Sequence, residues 1–147
     1  MGYKTFLCPL CGDDEVYQVY VEYTTLYKLQ YDEEGKNIIE TEYETESSGE
    51  YEYVCTCGNE VIATIEVDER EDYEKLKELW GNDRIMYVLK LIGEGKARVY
   101  RDVHIYGIDD DVDLLKYIIE KHKDYKVREY AKKILIKIVP RAVIERI

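Results

Sequence analysis

Apolar and polar residues alternate along the first half of the chain with a period of two residues. Over residues 16–31 the odd positions are apolar, aromatic or Thr, and most of the even positions are polar. β-Branched and aromatic residues in this alternation predict a half-buried strand. The same period predicts strands at about residues 37–46, 50–55 and 60–67. We therefore expect an antiparallel meander of four strands, apolar on one face and acidic on the other.

The second half changes to the helical period of 3.6 residues, and four helices are predicted. Gly81 ends the first helix, and Asn82 or Asp83 caps the second. Residues 109–111 place negative charge at the start of the third helix, and the fourth ends before Pro140. An extended segment is predicted over residues 97–106. The apolar stripes are Tyr73, Leu76, Leu79 and Trp80; Ile85, Val88, Leu89 and Ile92; Val112, Leu115, Ile118 and Ile119; and Val127, Ala131, Ile134, Leu135 and Ile138.

Charge is divided unevenly along the chain. Charged residues make up 36% of the sequence, and the net charge is -11. Residues 1–72 hold 4 Lys+Arg against 19 Asp+Glu, whereas the remaining residues hold 17 against 13. An acidic piece joined to a mildly basic one is not the pattern of a uniformly basic nucleic-acid-binding protein. Gln occurs twice and Asn three times, and few amides among many charges of both signs indicate a hyperthermophilic host.

No apolar run approaches the length of about 20 residues that a membrane-spanning helix needs. The first residues, from Met1 to Phe6, lack the apolar core of a signal peptide. We therefore expect the protein in the cytoplasm. In that compartment cysteines are metal ligands more often than disulfides.

Two short cysteine motifs carry the strongest chemical signal. One is Cys8-Pro9-Leu10-Cys11-Gly12 and the other is Cys55-Thr56-Cys57-Gly58. Each places two thiolates on a tight turn, and the glycine lets backbone N–H groups face the sulfurs. Two such turns brought together by antiparallel strands complete a tetrahedral site of four cysteines: Cys8, Cys11, Cys55 and Cys57.

This arrangement resembles the zinc ribbon family over residues 6–67. The second turn departs from the family, because it has one residue between its cysteines where two are usual. The insert over residues 12–54 is also long for a ribbon. The resemblance implies one Zn²⁺ per chain, and because cysteines fill all four positions the ion is expected to be structural.

Two other cysteine chemistries stay open. Disulfides are rare in most cytosols, but the intracellular proteins of hyperthermophiles are an exception. A redox pair is the other alternative, although a thioredoxin-type site has a single Cys-x-x-Cys motif at the start of a helix.

Two charged surfaces are candidate binding sites. Glutamates at alternate strand positions form an acidic row that is either a solvated sheet face or a docking surface for a basic partner: Glu40, Glu42, Glu44, Glu46, Glu50 and Glu52. Residues 112–138 resemble a single helical hairpin of the HEAT-repeat family. The basic residues at this end are either a solvated helix face or phosphate contacts: Lys126, Arg128, Lys132, Lys133, Lys137 and Arg141.

The sequence thus predicts an α+β protein. Residues 1–70 form an antiparallel β zinc ribbon with a long β insert, and residues 71–147 form a module of about four helices with a basic C-terminal hairpin. We recognise no nucleophile–base pair, open metal site or cofactor fingerprint in the sequence, so we expect no enzymatic activity.

Zinc ribbons commonly dock on transcription or translation machinery. The resemblance therefore implies a zinc-ribbon adaptor or regulator that docks on a protein or nucleoprotein complex of a hyperthermophile, archaeal or viral. The alternative is direct nucleic-acid binding through the basic hairpin.

Overall fold

The computed structural model describes residues 2–19, 25–44, 52–55, 57–101 and 107–139, with the backbone alone for strand residues 17–19, 25–26, 42–44 and 52–54. Strands precede a helical module, as predicted. In chain order the elements are β1 (Tyr3–Leu7), β2 (Val16–Val19), β3 (Thr25–Tyr31), β4 (Ile38–Glu44), β5 (Glu52–Cys55), β6 (Ala63–Val67), α1 (Arg70–Glu78), α2 (Gly81–Gly93), β7 (Ala97–Tyr100), α3 (Asp111–Lys121) and α4 (Tyr125–Ile138).

These strands form two antiparallel sheets. One has the order β1-β6-β7 and the other has the order β4-β3-β2-β5. In the three-stranded sheet Leu7 pairs with Ala63, and both belong to the core against the helices. Phe6 belongs instead to a smaller core with Val16 and Leu29, because successive residues of a strand point to opposite faces. The three-stranded sheet therefore separates the two cores.

Side-chain caps begin the last two helices. Asp110 accepts a hydrogen bond from the Asp113 N–H at 2.8 Å, and Asp124 accepts one from the Lys126 N–H at 2.8 Å. Such a cap satisfies an N–H group that has no partner within the helix. α4 ends at Ile138, before the proline that the sequence analysis identified as its limit. Among the described residues, no helix combines the length and the apolar character needed to cross a membrane.

The prediction of one strand over residues 16–31 is wrong. The segment forms β2 and β3, which pair antiparallel with Val16 opposite Leu29. The chain reverses between Val19 and Thr25, where the sequence has no Gly, Pro, Asn or Asp to mark a turn. The strand predicted over residues 60–67 does not join a meander either, because β6 belongs to the other sheet.

The expected separation of acidic and apolar faces is wrong for β4. The register places Glu40 opposite the buried Leu29 and places Ile39 opposite Gln30. Directly opposed residues lie on the same face of an antiparallel pair, so Glu40 shares the face of an apolar core residue. Ile38 and Ile39 are 42% and 52% exposed on this edge strand. The alternation of apolar and polar residues shows which side chains share a face of one strand. It does not determine the register of that strand against its neighbour.

The junction of α1 and α2 also differs from the prediction. α1 ends at Glu78, and Gly81 is the first residue of α2, with φ +59°. Neither Asn82 nor Asp83 caps α2, because the N-cap position is Trp80. Trp80 is 82% exposed, although the helical pattern places it in an apolar stripe. The stripe of α2 itself is confirmed as buried: Ile85, Val88, Leu89 and Ile92.

Two strands connect the two halves of the chain. β6 precedes the predicted boundary at residues 70/71 and β7 follows it, yet they pair, with Val67 opposite Ala97. The larger core likewise draws residues from both halves. The division into 1–70 and 71–147 stays a prediction.

Candidate metal centre

The four cysteines converge at one point. The Sγ atom of Cys8 lies 3.6 Å from that of Cys57, and the Sγ atom of Cys11 lies 3.3 Å from that of Cys55. All four Sγ atoms lie within 4.8 Å of one another. A tetrahedral ion with metal–sulfur bonds of about 2.3 Å needs sulfur–sulfur separations of about 3.8 Å. These separations fit four cysteine ligands around one metal ion.

Each cysteine pair lies on a turn that a backbone hydrogen bond closes. The Gly12 N–H donates to the Cys8 carbonyl at 2.8 Å, and the Gly58 N–H donates to the Cys55 carbonyl at 2.9 Å. The two glycines have φ +77° and +90°, a region that favours residues without a Cβ. The second turn is shorter by one residue, yet it still brings Cys57 to the cluster.

Backbone N–H groups of the turns face the sulfurs, as the motifs predict. Those of Leu10 and Cys11 lie against the Cys8 sulfur, and that of Asp13 lies against the Cys11 sulfur. A hydrogen bond from Cys55 lowers the pKa of Cys8 to about 4, whereas burial raises the pKa of Cys11 to about 12. The bond to Cys8 and burial also raise the pKa of Cys55. A divalent cation held by these cysteines would displace the remaining thiol protons, so its binding would be linked to pH.

Asn59 connects the cysteines with α3. Its Nδ2 atom lies 3.7 Å from the Cys8 sulfur and donates to the Val61 carbonyl at 2.9 Å. Its Oδ1 atom accepts from the Val61 N–H at 3.2 Å and from the Tyr117 hydroxyl at 3.1 Å. Hydrogen bonds of this kind orient metal ligands and tune their affinity. Asn59 therefore links the Cys8 sulfur to Tyr117 of α3.

Arg84 of α2 is a buried cation beside the first turn. It is 2% exposed. Its Nη1 atom donates to the carbonyls of Phe6 and Gly12 at 3.0 and 3.2 Å, its Nη2 atom donates to the Thr5 hydroxyl at 2.7 Å, and its Nε atom donates to the Leu76 carbonyl at 3.2 Å. Burial lowers its pKa. No carboxylate of the described residues forms an ion pair with it.

Asp14 and Asp13 act on Arg84 through their negative charge, and a metal-filled cluster would add to it. Four thiolates and a divalent cation carry a formal charge of about -2 in total. Gly12, whose carbonyl Arg84 contacts, directly follows the ligand Cys11. Arg84 therefore joins the helical module to the first cysteine turn, close to the position that a bound ion would take.

Sequence analysis missed Asn59, Arg84 and Tyr117. Arg84 had a signal, because it lies one position before Ile85 on the buried face of α2, where a charged residue requires partners. Asn59 and Tyr117 had no such signal in the sequence, because their roles depend on contacts with residues that are distant in the sequence.

The structure does not bring the acidic row together as one strip. Glu40 is exposed on β4, and Glu42 and Glu44 follow it along the same strand. Glu52 lies on β5, at the opposite edge of the sheet. Three strand spacings separate those edges by about 14 Å. The other two members, Glu46 and Glu50, lie outside the described residues.

The basic set divides into exposed lysines and one structural arginine. The exposed lysines of α4 are Lys126, Lys132, Lys133 and Lys137. Arg128 instead closes the α3–α4 connection, because its Nη1 atom donates to the His122 carbonyl at 2.6 Å. Lys132 forms an ion pair with Glu129 at 3.1 Å. Arg141 lies outside the described residues.

Comparisons of the chain with models of protein families, with curated proteins and with solved structures found no match. The four-cysteine cluster is therefore the feature from which a function can be inferred.

Proposed function

We propose that the chain binds one structural Zn²⁺ and acts as a non-enzymatic adaptor or regulator. In this proposal it docks on a complex of the transcription or translation machinery in a hyperthermophile or its virus. The supporting observation is the convergence of four Sγ atoms within 4.8 Å of one another. Four cysteines complete a tetrahedral shell and leave no position for a substrate or an activated water.

The surroundings of the cluster favour a structural role. Asn59 and Tyr117 connect it to α3, and Arg84 connects its first turn to α2. An ion at this point holds sheets and helices in one arrangement, as a docking surface requires. The first 72 residues hold 19 Asp+Glu against 4 Lys+Arg, and this charge favours encounter with a basic partner.

Metal analysis tests the first part of the proposal. Protein purified without added metal is expected to contain one zinc per chain by elemental analysis. Tetrahedral sites of four sulfurs hold either zinc or iron, and visible absorption identifies the latter. Metal-free protein with two disulfides by mass spectrometry would exclude the zinc centre.

Capture from a lysate of the source cells tests the docking part. The triple variant Glu40→Gln, Glu42→Gln and Glu44→Gln is expected to lose the bound complex, because complementary charge accelerates association. The matched control removes the same charge at exposed positions in the helices or directly after one: Glu78→Gln, Glu94→Gln and Glu120→Gln. A complex that survives nuclease supports protein docking. An equal loss of the captured complex in both variants would contradict docking through the glutamates of β4.

The exposed lysines of α4 favour a second candidate function, direct binding to nucleic acid. Each phosphate that a lysine neutralises releases counterions, so affinity then falls steeply with salt. Replacing Lys132, Lys133 and Lys137 with Gln flattens that dependence if the hairpin is the contact. If the protein is an adaptor, we expect its affinity for free DNA to be no better than about 10⁻⁴–10⁻⁶ M, the range of non-specific binding.

A further inference from the structure

A cavity of about 270 Å³ lies between the metal turns and the α3–α4 connection. Its lining residues are Leu10, Cys11, Cys57, Lys121, His122 and Lys123. Lys121 and Lys123 are exposed. Neither of them forms an ion pair with any residue in the described part of the chain. This edge of the cavity therefore offers two positive charges to a ligand.

Two exposed aromatic residues lie at helix starts close to the cavity residues in the fold: Trp80 at the N-cap of α2 and Tyr125 at the first position of α4. Trp80 is 82% exposed and Tyr125 is 65% exposed. Asn82, two residues after Trp80, donates from its side-chain amide to the Asp124 carboxylate at 3.0 Å. Asp124 lies between Tyr125 and the cavity residue Lys123. The Asn82–Asp124 bond thus brings the start of α2 to the start of α4, next to Lys123. The Arg128 guanidinium lies 5.8 Å from the centroid of the Tyr125 ring, so one face of that ring already meets a cation.

His122 adds a buried donor to the cavity wall. It is 5% exposed, and its Nδ1 atom accepts a hydrogen bond from the Asp124 N–H at 2.9 Å. The proton of the neutral ring is therefore on Nε2. That atom is buried and has no hydrogen-bond partner among the described residues. A buried donor without an acceptor is unfavourable, but Nε2 has almost no accessible surface, so a ligand in the cavity does not reach it in this arrangement.

We propose that this surface binds single-stranded nucleic acid. Bases stack on Trp80 and Tyr125, and phosphates lie near Lys121 and Lys123. Exposed aromatic faces combined with basic side chains bind single strands with little sequence preference. A duplex keeps its base faces inside, so it is expected to bind more weakly. The proposal goes beyond the adaptor role, and it places the contact at the α3–α4 connection rather than along the lysines of α4.

Trp80 provides the readout, because it is the only tryptophan of the chain. The zinc-loaded chain is titrated with a single-stranded oligothymidylate of about 12 nucleotides, within the range of known binding-site sizes. Stacking is expected to quench the tryptophan fluorescence. The corresponding duplex is expected to quench it at least about tenfold less effectively at equal concentration, because its bases are already stacked.

Anisotropy of a labelled oligonucleotide measures the variants. Trp80→Ala and Tyr125→Ala are each expected to weaken binding about fivefold or more, the size of one lost stacking contact. The double variant Lys121→Gln and Lys123→Gln is expected to reduce the slope of log affinity against log salt by about 1.4, because each phosphate contact contributes about 0.7. The matched pair Lys90→Gln and Lys96→Gln removes two exposed lysines that belong to neither candidate contact, and it is expected to change affinity less than about twofold.

Three results would overturn the proposal. The first is unchanged Trp80 fluorescence with the oligonucleotide. The second is an equal loss of affinity in the two double-lysine variants. The third is quenching by a poly-glutamate peptide but not by the oligonucleotide, which would make the surface a site for an acidic protein segment. Circular dichroism is used to verify that each variant is folded. Zinc content measured on the same samples distinguishes failure of the nucleic-acid proposal from failure of the metal proposal.

Discussion

Replacing Arg84 with Met removes a buried positive charge while roughly keeping the side-chain volume. The Thr5 hydroxyl keeps a hydrogen bond to the Phe6 carbonyl at 3.3 Å after the change. The Leu76 carbonyl keeps the one from the Leu79 N–H at 3.3 Å. The Gly12 carbonyl loses its guanidinium donor, and one buried acceptor without a donor costs about 1–3 kcal/mol. We expect Arg84→Met to lower the free energy of unfolding of the metal-free protein by that amount.

The effect on zinc affinity is expected to be separate and larger. For an assumed separation of about 8 Å and an effective dielectric constant of about 20, a unit charge and a dianion interact by about 4 kcal/mol. A factor of ten in affinity corresponds to about 1.4 kcal/mol, so the upper limit is nearly three orders of magnitude. The exposed ligand Cys57 admits solvent screening. We therefore expect Arg84→Met to weaken zinc binding by at least about tenfold.

Competition with a chromophoric zinc chelator measures this affinity. Arg84→Lys keeps the charge but loses the planar fork of donors, so it is expected to lower stability while keeping most of the zinc affinity. Val88→Ala, one turn further along α2, removes buried apolar volume without changing charge. The reasoning is refuted if Arg84→Met binds zinc within twofold of the wild type, or if Val88→Ala weakens binding equally.

Three further predictions follow from the same contacts. At pH 7, zinc binding is expected to release at least about two protons, because the pKa of Cys11 is about 12 and that of Cys55 is also raised. Zinc affinity is therefore expected to fall as the pH falls. Calorimetry in buffers of different ionisation enthalpy counts the released protons, and a count below one would contradict binding by the cysteine cluster. Asn59→Ala is expected to weaken zinc binding about tenfold in the chelator assay. Tyr117→Phe removes a single donor to Asn59 and is expected to weaken zinc binding less. A larger loss of zinc affinity in Tyr117→Phe than in Asn59→Ala would be inconsistent with the contact of Asn59 with Cys8. Asp110→Ala is expected to lower the free energy of unfolding by about 1 kcal/mol in urea without changing zinc affinity, and an unchanged midpoint would show that the cap of α3 contributes nothing.

The helices and the metal ligands were predictable because their determinants are local. The stripe of α2, the acidic start of α3 and the proline after α4 each act within a few residues. The cysteine ligands could be predicted as well, since residue type and spacing alone indicate a four-sulfur site. For such features the sequence within one turn or one helix is sufficient.

The sheets and the contacts around the cysteines were not predictable in the same way. The alternation over residues 16–31 continues through a chain reversal, so it does not show that two strands are present. The pairing of Glu40 with Leu29 depends on register, which alternation leaves undetermined. Arg84 meets Gly12 across 72 residues of sequence, and no local pattern encodes such a partner.

The position of the cysteines relative to the strands has a consequence for the rate of folding. Cys8 directly follows β1, and Cys57 lies shortly before β6, whose first residue, Ala63, pairs with Leu7. An ion captured by the unfolded chain closes a loop of about 50 residues, and the entropy of that closure normally opposes such a distant pairing. Non-local strand pairs are slow to form for this reason. Zinc present at the start of refolding is therefore expected to accelerate formation of the central strand pair, so the ion acts as a nucleation site in addition to stabilising the finished fold.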